Sequence, residues 1–538
     1  MLRKNIYKWH RTCSLIIAIP VLLWATSGFM HPIMTNLRPA VKMQSIPVVM
    51  PDSNQVKLPL QQVLKQNKID SIYSVRLVHI DTNWFYQVKT SRRYELQYIS
   101  AKNGNILTKG DWLYAQYLAR LFLEGPAKKG KKMPGMEMPA GMQMSDGLDC
   151  CGEAASTVLN NKTGAPIEGA SLITKFDEEY KSIYCLLPVY KVAFKRADNI
   201  RLYVETGQDR FAIAVDKNRA AFTAFFDLVH TWGWIDFLGK GRIFVEMFFT
   251  GLGFLTALMG IYIFFSTKSK KVKGNPLVKA RRNHRYTAIV ASLFTLMFTF
   301  SGCYHAFSKL NVKEKEILSV QHGFATSNIN LDLNKLQSIV NKPIANIGLV
   351  QVNGKRFWQV YLVSGKKWHK NKDLMKDMAA DAAVVTYVNA DDYSVLKDGD
   401  NVYAKDLASQ LGSHNPNEIV STQLVTKFTD EYNFTDKRLP VWKINYPFNH
   451  KERLYVETST GVLAKHTNDV ELYEGYSFAL FHKHHYMDFA GKTTRDISTM
   501  VAAGLQILMI IIGLIFYFKR RKQKVKAALV MRMEGDSI

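Results

Sequence analysis

The sequence predicts a membrane α+β protein: four transmembrane helices in a pseudo-two-fold tandem duplication, carrying two large α+β domains on one side of the bilayer. Three observations predict it. Four apolar runs are long enough to cross a bilayer, basic clusters adjoin them all on one side, and the text of the first half recurs in order in the second.

A chain of 538 residues exceeds one ordinary domain and can bury several cores. Its net charge of 71 − 45 = +26 would suit a polyanion-binding protein. The basic residues, however, crowd at Arg3, Lys4, Lys8 and Arg11, across Lys268–Arg285, and across Lys519–Lys526. Each cluster abuts an apolar run, so positive-inside flanks explain the charge and no nucleic-acid partner is expected. Five cysteines are too few for a disulfide framework.

The apolar runs are Cys13–Met34, Phe244–Phe265, Thr287–Phe307 and Ile497–Phe518. Crossing a hydrocarbon core takes ~20 helical residues, and each run supplies them. The first follows a basic N-terminus as a signal peptide would. It is longer than an ordinary signal core, lacks a small-residue cleavage site and recurs mid-chain, so a retained anchor is expected. All three basic clusters then lie in the cytoplasm and the large domains outside it. The expected division is 1–34 for the tail and first span, 35–243 for the first external domain and 244–266 for the second span. A basic loop at 267–286, a third span at 287–307, a second external domain at 308–496, a fourth span at 497–518 and a tail at 519–538 follow.

The first span reads HRTCSLIIAIPVLLWATSGFMH from His10 to His31, and the third reads HRYTAIVASLFTLMFTFSGCYH from His284 to His305. Both open with His-Arg and close with Ser-Gly-x-x-His. LVHTWGWIDFLGK around His230 answers LFHKHHYMDFAGK around His482, with Asp236 matching Asp488. LITKFDEEY (Leu172–Tyr180) answers LVTKFTDEY (Leu424–Tyr432), LPVYK at Leu187 answers LPVWK at Leu439, and RLYVET recurs at Arg201 and Arg453. So many matches in one order indicate a duplicated span–domain–span unit.

Within each external domain, short β-branched and aromatic runs alternate with turn residues. VRLVHI (Val75–Ile80), WFYQVKT (Trp84–Thr90) and ELQYISA (Glu95–Ala101) have counterparts in IGLVQV, RFWQVYLV and VVTYVNA. Amphipathic helices at Leu60–Gln66 and Leu333–Val340 precede them. A helix followed by an antiparallel meander resembles the PepSY domain.

One segment, at about 128–152, has no counterpart. It carries Met133, Met136, Met138, Met142 and Met144 among Gly and Pro, then Cys150 and Cys151. A flexible insertion is one expectation; soft thioether and thiolate ligands for Cu(I) are the other.

Six of the fourteen histidines fall into repeated pairs: His10/His284, His31/His305 and His230/His482. A histidine at or inside a bilayer is costly and commonly functional, although snorkelling or capping also places one there. The 21 residues between the histidines of one span (31 − 10, 305 − 284) rise ~31 Å, about the hydrocarbon thickness. At ~100° per residue the two lie ~60° apart around the axis, so both can face the bundle interior. His10 can then meet His284 near the cytoplasmic face, and His31 can meet His305 near the outer face. Facing imidazoles could supply axial ligands to haem iron; His230 and His482 could replace or supplement the outer pair. Gly28 and Gly302, three residues before each outer histidine, could leave room for a macrocycle or simply allow close helix packing. Trp24 and Phe298, seven residues before each outer histidine, could shorten the jump between two haems or serve ordinary packing.

The His-Arg openings, the Ser-Gly-x-x-His closings, the paired LYVET segments and the His…Asp-Phe-x-Gly-Lys segments together resemble the PepSY-associated transmembrane proteins, also called iron-regulated membrane proteins. The resemblance covers the whole chain apart from the Met-rich insertion. It implies a bacterial inner membrane and periplasmic PepSY-like domains. The nearest functional analogy is to the FoxB-type ferric-siderophore reductases, which implies two haems b held by His10, His31, His284, His305, His230 and His482. A ferric siderophore or other metal chelate is then the substrate. No Walker, Rossmann or flavin fingerprint occurs, so quinol or a separate cytoplasmic donor must supply the electrons. Three alternatives stand beside this: a cupric reductase or copper-handling protein using the Met-rich loop, a non-enzymatic PepSY binding module anchored by its spans, and a transporter with Asp236 and Asp488 as proton carriers.

Overall fold

A computed structural model describes residues 2–46, 49–51, 55–81, 83–92, 94–125, 164–268, 275–310, 317–363 and 384–535. The chain divides into two compact units. One comprises Met1–Arg38, Arg219–Glu314 and Val470–Ile538; the other comprises Pro39–Asn218 and Lys315–Asp469.

The first unit is built on four long helices: Leu2–Asn36, Lys240–Ser266, Pro276–Lys309 and Lys492–Gly535. Each contains a window long and apolar enough to cross a membrane, within Asn5–Asn36, Lys240–Ser266, Pro276–Lys309 and Lys492–Val525. These are spans one to four. They run past the apolar stretches at both ends, because the basic flanking residues are good helix formers and continue the hydrogen-bond ladder. Span three starts cleanly: Asn275 Oδ1 accepts from the amides of Leu277 (3.0 Å) and Val278 (3.3 Å), and Pro276 occupies the first turn, where no donor is needed.

Spans one and three each pack against spans two and four, so one and three stand diagonally opposed. The bundle is inside-out relative to a water-soluble one. Large apolar side chains such as Ile19, Leu293 and Phe265 point outward, 60–77 % exposed, whereas the helix contacts are small and hydroxylated. Gly253 of span two admits the Thr299 methyl of span three. Ala291, Ser292, Thr295 and Ser301 are buried on span three, and their hydroxyls bond back to carbonyls four residues earlier at 2.6–2.9 Å. Without water to drive apolar association, such close backbone packing is what holds helices together in lipid.

The second unit is a set of small antiparallel sheets. Ser74–Ile80, Asn83–Lys89 and Leu96–Ser100 form one meander, preceded by the helix Leu60–Gln66. Ile344–Val352, Lys355–Leu362, Val384–Asn389 and Val395–Leu396 form another, preceded by Leu333–Val340. Both helices match the residues expected from amphipathic periodicity, and the strands agree to within about a residue at most ends. A single core joins them, with Leu64, Trp84 and Tyr86 packing in the same cluster as Leu336, Trp358 and Val360. Asn346 fastens the two meanders: at a bulge its Oδ1 accepts from the Leu77 amide (2.9 Å) and its Nδ2 donates to the Leu77 carbonyl (3.0 Å).

Two further four-stranded sheets run in simple sequence order. They are Ile167–Ile173, Val189–Phe194, Arg201–Glu205 and Arg210–Val215, and Ser421–Val425, Val441–Asn445, Arg453–Glu457 and Val462–Thr467. The repeated segments LPVYK, LPVWK and RLYVET are therefore strands. Helices Gly110–Glu124 and Gly399–Gly412, not expected from the sequence, link meander to sheet. Matching buried networks tie each pair. Gln87 Nε2 donates to the Thr206 carbonyl (2.9 Å), and Gln359 Nε2 donates to the Thr458 carbonyl (2.9 Å). Tyr98 OH donates to Asp111 (2.9 Å), and Tyr387 OH donates to Asp400 (2.8 Å).

Candidate functional site

Two short helical segments in the first unit carry the repeated histidines that lie outside the spans. Lys217–Val229 is α-helical and presents Phe226 one turn before His230. Asp469–Ser477 is α-helical and then widens into a π turn, Phe478–His482, which presents Phe478 one turn before His482. Such turns recur where a side chain must be re-aimed at a functional site. In each segment the phenylalanine stacks on its histidine, at 4.3 Å for Phe226–His230 and 4.6 Å for Phe478–His482. The same rings meet the span histidines: Phe226 lies 5.5 Å from His31, and Phe478 lies 4.5 Å from His305.

The serines of Ser-Gly-x-x-His set the chemistry of these rings. Ser27 Oγ shares a 2.9 Å hydrogen bond with His230 Nδ1, and Ser301 Oγ shares one of 3.2 Å with His482 Nδ1. Each hydroxyl has one proton. It also sits 2.9 Å from the Leu23 carbonyl in span one, or 2.8 Å from the Met297 carbonyl in span three, groups that can only accept. With the proton given to the carbonyl, the serine oxygen accepts from Nδ1–H, and Nε2 keeps its lone pair. Burial drives the His230 imidazolium down to about 3, with His31 acting the same way, and holds His482 well below its ordinary value. Both rings are thus neutral donors at any physiological pH.

The rings of His230 and His482 come together with centroids 6.1 Å apart and planes at 86°. Two imidazole nitrogens on one metal atom stand about 4 Å apart, twice a bond of ~2 Å, and their centroids stand farther apart by about a ring diameter. The observed spacing is of that order, so the two rings stand near enough together that they would fit one iron held between them. The sequence offered His31/His305 as a facing pair that His230/His482 could replace or supplement; the rings of His230 and His482 come within 6.1 Å of each other, with His31 and His305 each one phenylalanine away. His305 Nδ1 also contacts Glu474 Oε1 at 2.6 Å. The matching position in the first half is Phe222.

At the other end of the bundle, His10 and His284 are half-buried, and their Nδ1 atoms are buried with no hydrogen-bond partner among the described residues. His10 lies beside the Thr256 carbonyl of span two, and a Cβ added at Gly260 would come within 3.3 Å of its ring. His284 lies beside the Met509 carbonyl of span four, and a Cβ at Gly513 would come within 3.2 Å of its ring. Each histidine therefore rests in a notch that a glycine of a neighbouring span leaves open. Orphaned ring nitrogens in an apolar bundle suit a bound metal centre better than a finished core.

Between the two tiers stand two stacked pairs, Trp24 on Trp232 (4.8 Å, 7°) and Phe298 on His484 (5.5 Å, 6°). Trp24 Nε1 donates to the His230 carbonyl at 2.9 Å, linking span one to the short segment. Of the two expected gaps, a Cβ at Gly28 would meet nothing within 4 Å among the described residues, whereas one at Gly302 would stand 3.7 Å from the Thr250 methyl. Asp236 pairs with Arg242, and Asp488 pairs with Arg495 at 2.7 Å, at the entrances to spans two and four. Met133, Met136, Met138, Met142, Met144, Cys150 and Cys151 lie outside the described residues.

Sequence reasoning missed Ser27, Ser301, Phe226, Phe478, Gly260, Gly513 and Glu474. The first four were legible: the serines stand inside the repeated closing motif, and both phenylalanines precede a repeated histidine by four residues. The two glycines are unremarkable in apolar helices, and Glu474 has no repeat partner. No protein-family model matches the chain, and no curated protein matches it.

Proposed function

We propose that the protein is a haem b oxidoreductase of a bacterial inner membrane that carries electrons across the bilayer to reduce a ferric chelate in the periplasm. The observation that supports this most is the pair of histidine tiers, ~25 Å apart along spans one and three, from His10 to Ser27 and from His284 to Ser301, 17 residues in each. One holds His10 and His284 with orphaned nitrogens; the other holds His230 and His482 at 6.1 Å with Nδ1 pinned by serine. Anchored binding modules need neither arrangement. The resemblance to PepSY-associated transmembrane proteins supports the same reading, as does the correspondence of two meanders and two sheets in the second unit, which fits a tandem duplication with two PepSY-like periplasmic domains.

When bound, haem supplies a one-electron carrier at each tier. The chain's own residues do the rest. Ser27 and Ser301 hold the Nδ1 protons of His230 and His482, so that the opposite nitrogens stay unprotonated and would be free to hold haem iron. Gly260 and Gly513 leave the notches in which His10 and His284 turn. Oxidation of one quinol to quinone releases two protons and two electrons, enough to convert two ferric ions to ferrous. Ferrous ion binds hard oxygen chelators weakly, so the metal is released. A cupric substrate is the second reading, favoured by the five methionines between Met133 and Met144.

The test is an absorption spectrum of the detergent-purified protein, oxidised and dithionite-reduced, with pyridine-haemochrome quantification. Two or more haems b per chain, with a loss in His10→Ala and a separate loss in His230→Ala, are expected. A haem-free protein from haem-replete cells would overturn the proposal. Stopped-flow oxidation of the reduced protein by ferric chelate against cupric ion separates the two substrates.

A further inference from the structure

His484 stands where the two halves differ most. In the first half its place is taken by Trp232, and both residues adopt the left-handed backbone, with φ of +55° and +51°. That conformation is unfavourable for a side chain with a Cβ, and here it turns the ring inward. Trp232 serves packing. It stacks on Trp24, and its Nε1 donates to the Val229 carbonyl at 3.2 Å. Nothing polar on that indole is left over.

His484 takes the same place with a smaller and more demanding ring. The residue is 0 % exposed. Its Nδ1 shares a 2.9 Å hydrogen bond with Ser498 Oγ, while its Nε2 is buried with no hydrogen-bond partner among the described residues. The surroundings are Phe298, Phe294 at 5.9 Å and Tyr486 at 5.2 Å. A core histidine normally satisfies both nitrogens, because an unmet one carries its full desolvation penalty. One nitrogen fixed by a serine and the other bare is the arrangement already seen at His230 and His482, and it is how proteins orient an imidazole toward a metal.

Depth along span three gives the ligand a place. Phe298 precedes His305 by seven residues and Phe294 follows His284 by ten, and the His484 ring lies against both, which puts it ~10–17 Å inward of His305 and ~15–21 Å from His284 along the helix axis. We propose that His484 Nε2 is a further axial ligand to haem iron, lying between the two tiers and shortening the long step that separates them. This rests on the haem reading of the bundle. It adds to that reading a ligand that belongs to no repeated pair, supplied by the second half alone.

The experiment compares haem content and low-temperature EPR of wild type, His484→Gln and His484→Trp. Glutamine keeps a polar side chain of similar reach without ligating as imidazole does, and tryptophan copies the packing of the first half, so at least one should fold. Loss of one haem equivalent per chain, or conversion of one low-spin signal to high-spin, is expected in whichever variant folds, with the remaining signals unchanged. Wild type and both variants with the same haem count and the same EPR would overturn the assignment while leaving the haem protein intact. A haem-free wild type would instead overturn the proposed function and this assignment with it.

Discussion

His230 and His482 reach the same point from two different segments, their rings 6.1 Å apart and nearly perpendicular, and each is held through Nδ1 by a serine of a diagonally opposed span. The serines therefore control the tautomers of a histidine pair they do not belong to. Ser27→Ala or Ser301→Ala removes the acceptor that fixes the tautomer while leaving the ring in place. Outer-partner losses of this kind weaken metal retention about 10- to 100-fold. The expected result is a lower haem yield with the His10/His284 centre retained, measured by haemochrome assay and redox titration of each variant.

A larger side chain at Gly260 or Gly513 acts at the opposite tier. A bare Cβ already comes within 3.3 Å of His10 or 3.2 Å of His284, so Gly260→Leu and Gly513→Leu force the imidazoles from their notches. Redox titration should show one wave missing and the other unchanged. Two unaltered waves would mean that these histidines hold nothing.

His305 carries a carboxylate partner, Glu474, at 2.6 Å. Glu474→Gln removes a negative charge beside the proposed haem site and so should disfavour the ferric form. The potential of the nearer centre should rise by on the order of 60 mV, one tenfold step for a one-electron couple. Potentiometric titration at fixed pH measures it.

The second unit offers a stability test. Glu457 has a fully buried side chain that meets Arg210 and, at 2.8 Å, Arg438, with Thr460 donating to it at 2.5 Å. Glu457→Ala leaves Arg210 and Arg438 to share Glu205, and removing one partner of a buried ion pair costs ~3–5 kcal/mol. The unfolding transition of the second unit should fall sharply, while haem spectra stay as in wild type.

The same cluster fixes a pH dependence. Burial alone would raise the Glu457 carboxyl, but the two guanidiniums outweigh it and hold the group down at about 2. An unfolded glutamate titrates near ~4.3. Because the folded value is the lower one, the contribution is complete above about pH 4.3 and is lost as pH falls toward 2. Thermal unfolding followed across that window should steepen with acid in wild type and much less in Glu457→Gln.

Much of this molecule was legible in the linear text because the determining forces are local. Apolar length and basic flanks placed the four spans, and amphipathic period placed Leu60–Gln66 and Leu333–Val340 to the residue. The duplicated wording pointed to six histidines and carried, unread, the serines and phenylalanines that accompany them. The helices Gly110–Glu124 and Gly399–Gly412 were harder, since their burial comes from packing against sheets rather than from a regular apolar stripe.

What the sequence determined alone was periodicity, hydropathy and repetition, and hence which residues recur. Which recurring residues meet was decided only in three dimensions. His230 and His482 are 252 positions apart, and nothing in their own segments says that their rings converge. The diagonal packing of spans one and three, the π turn before His482 and the glycine notches opposite His10 and His284 decide that. So does the orphaned nitrogen of His484, since whether a buried group is satisfied depends on every neighbour that folding brings to it.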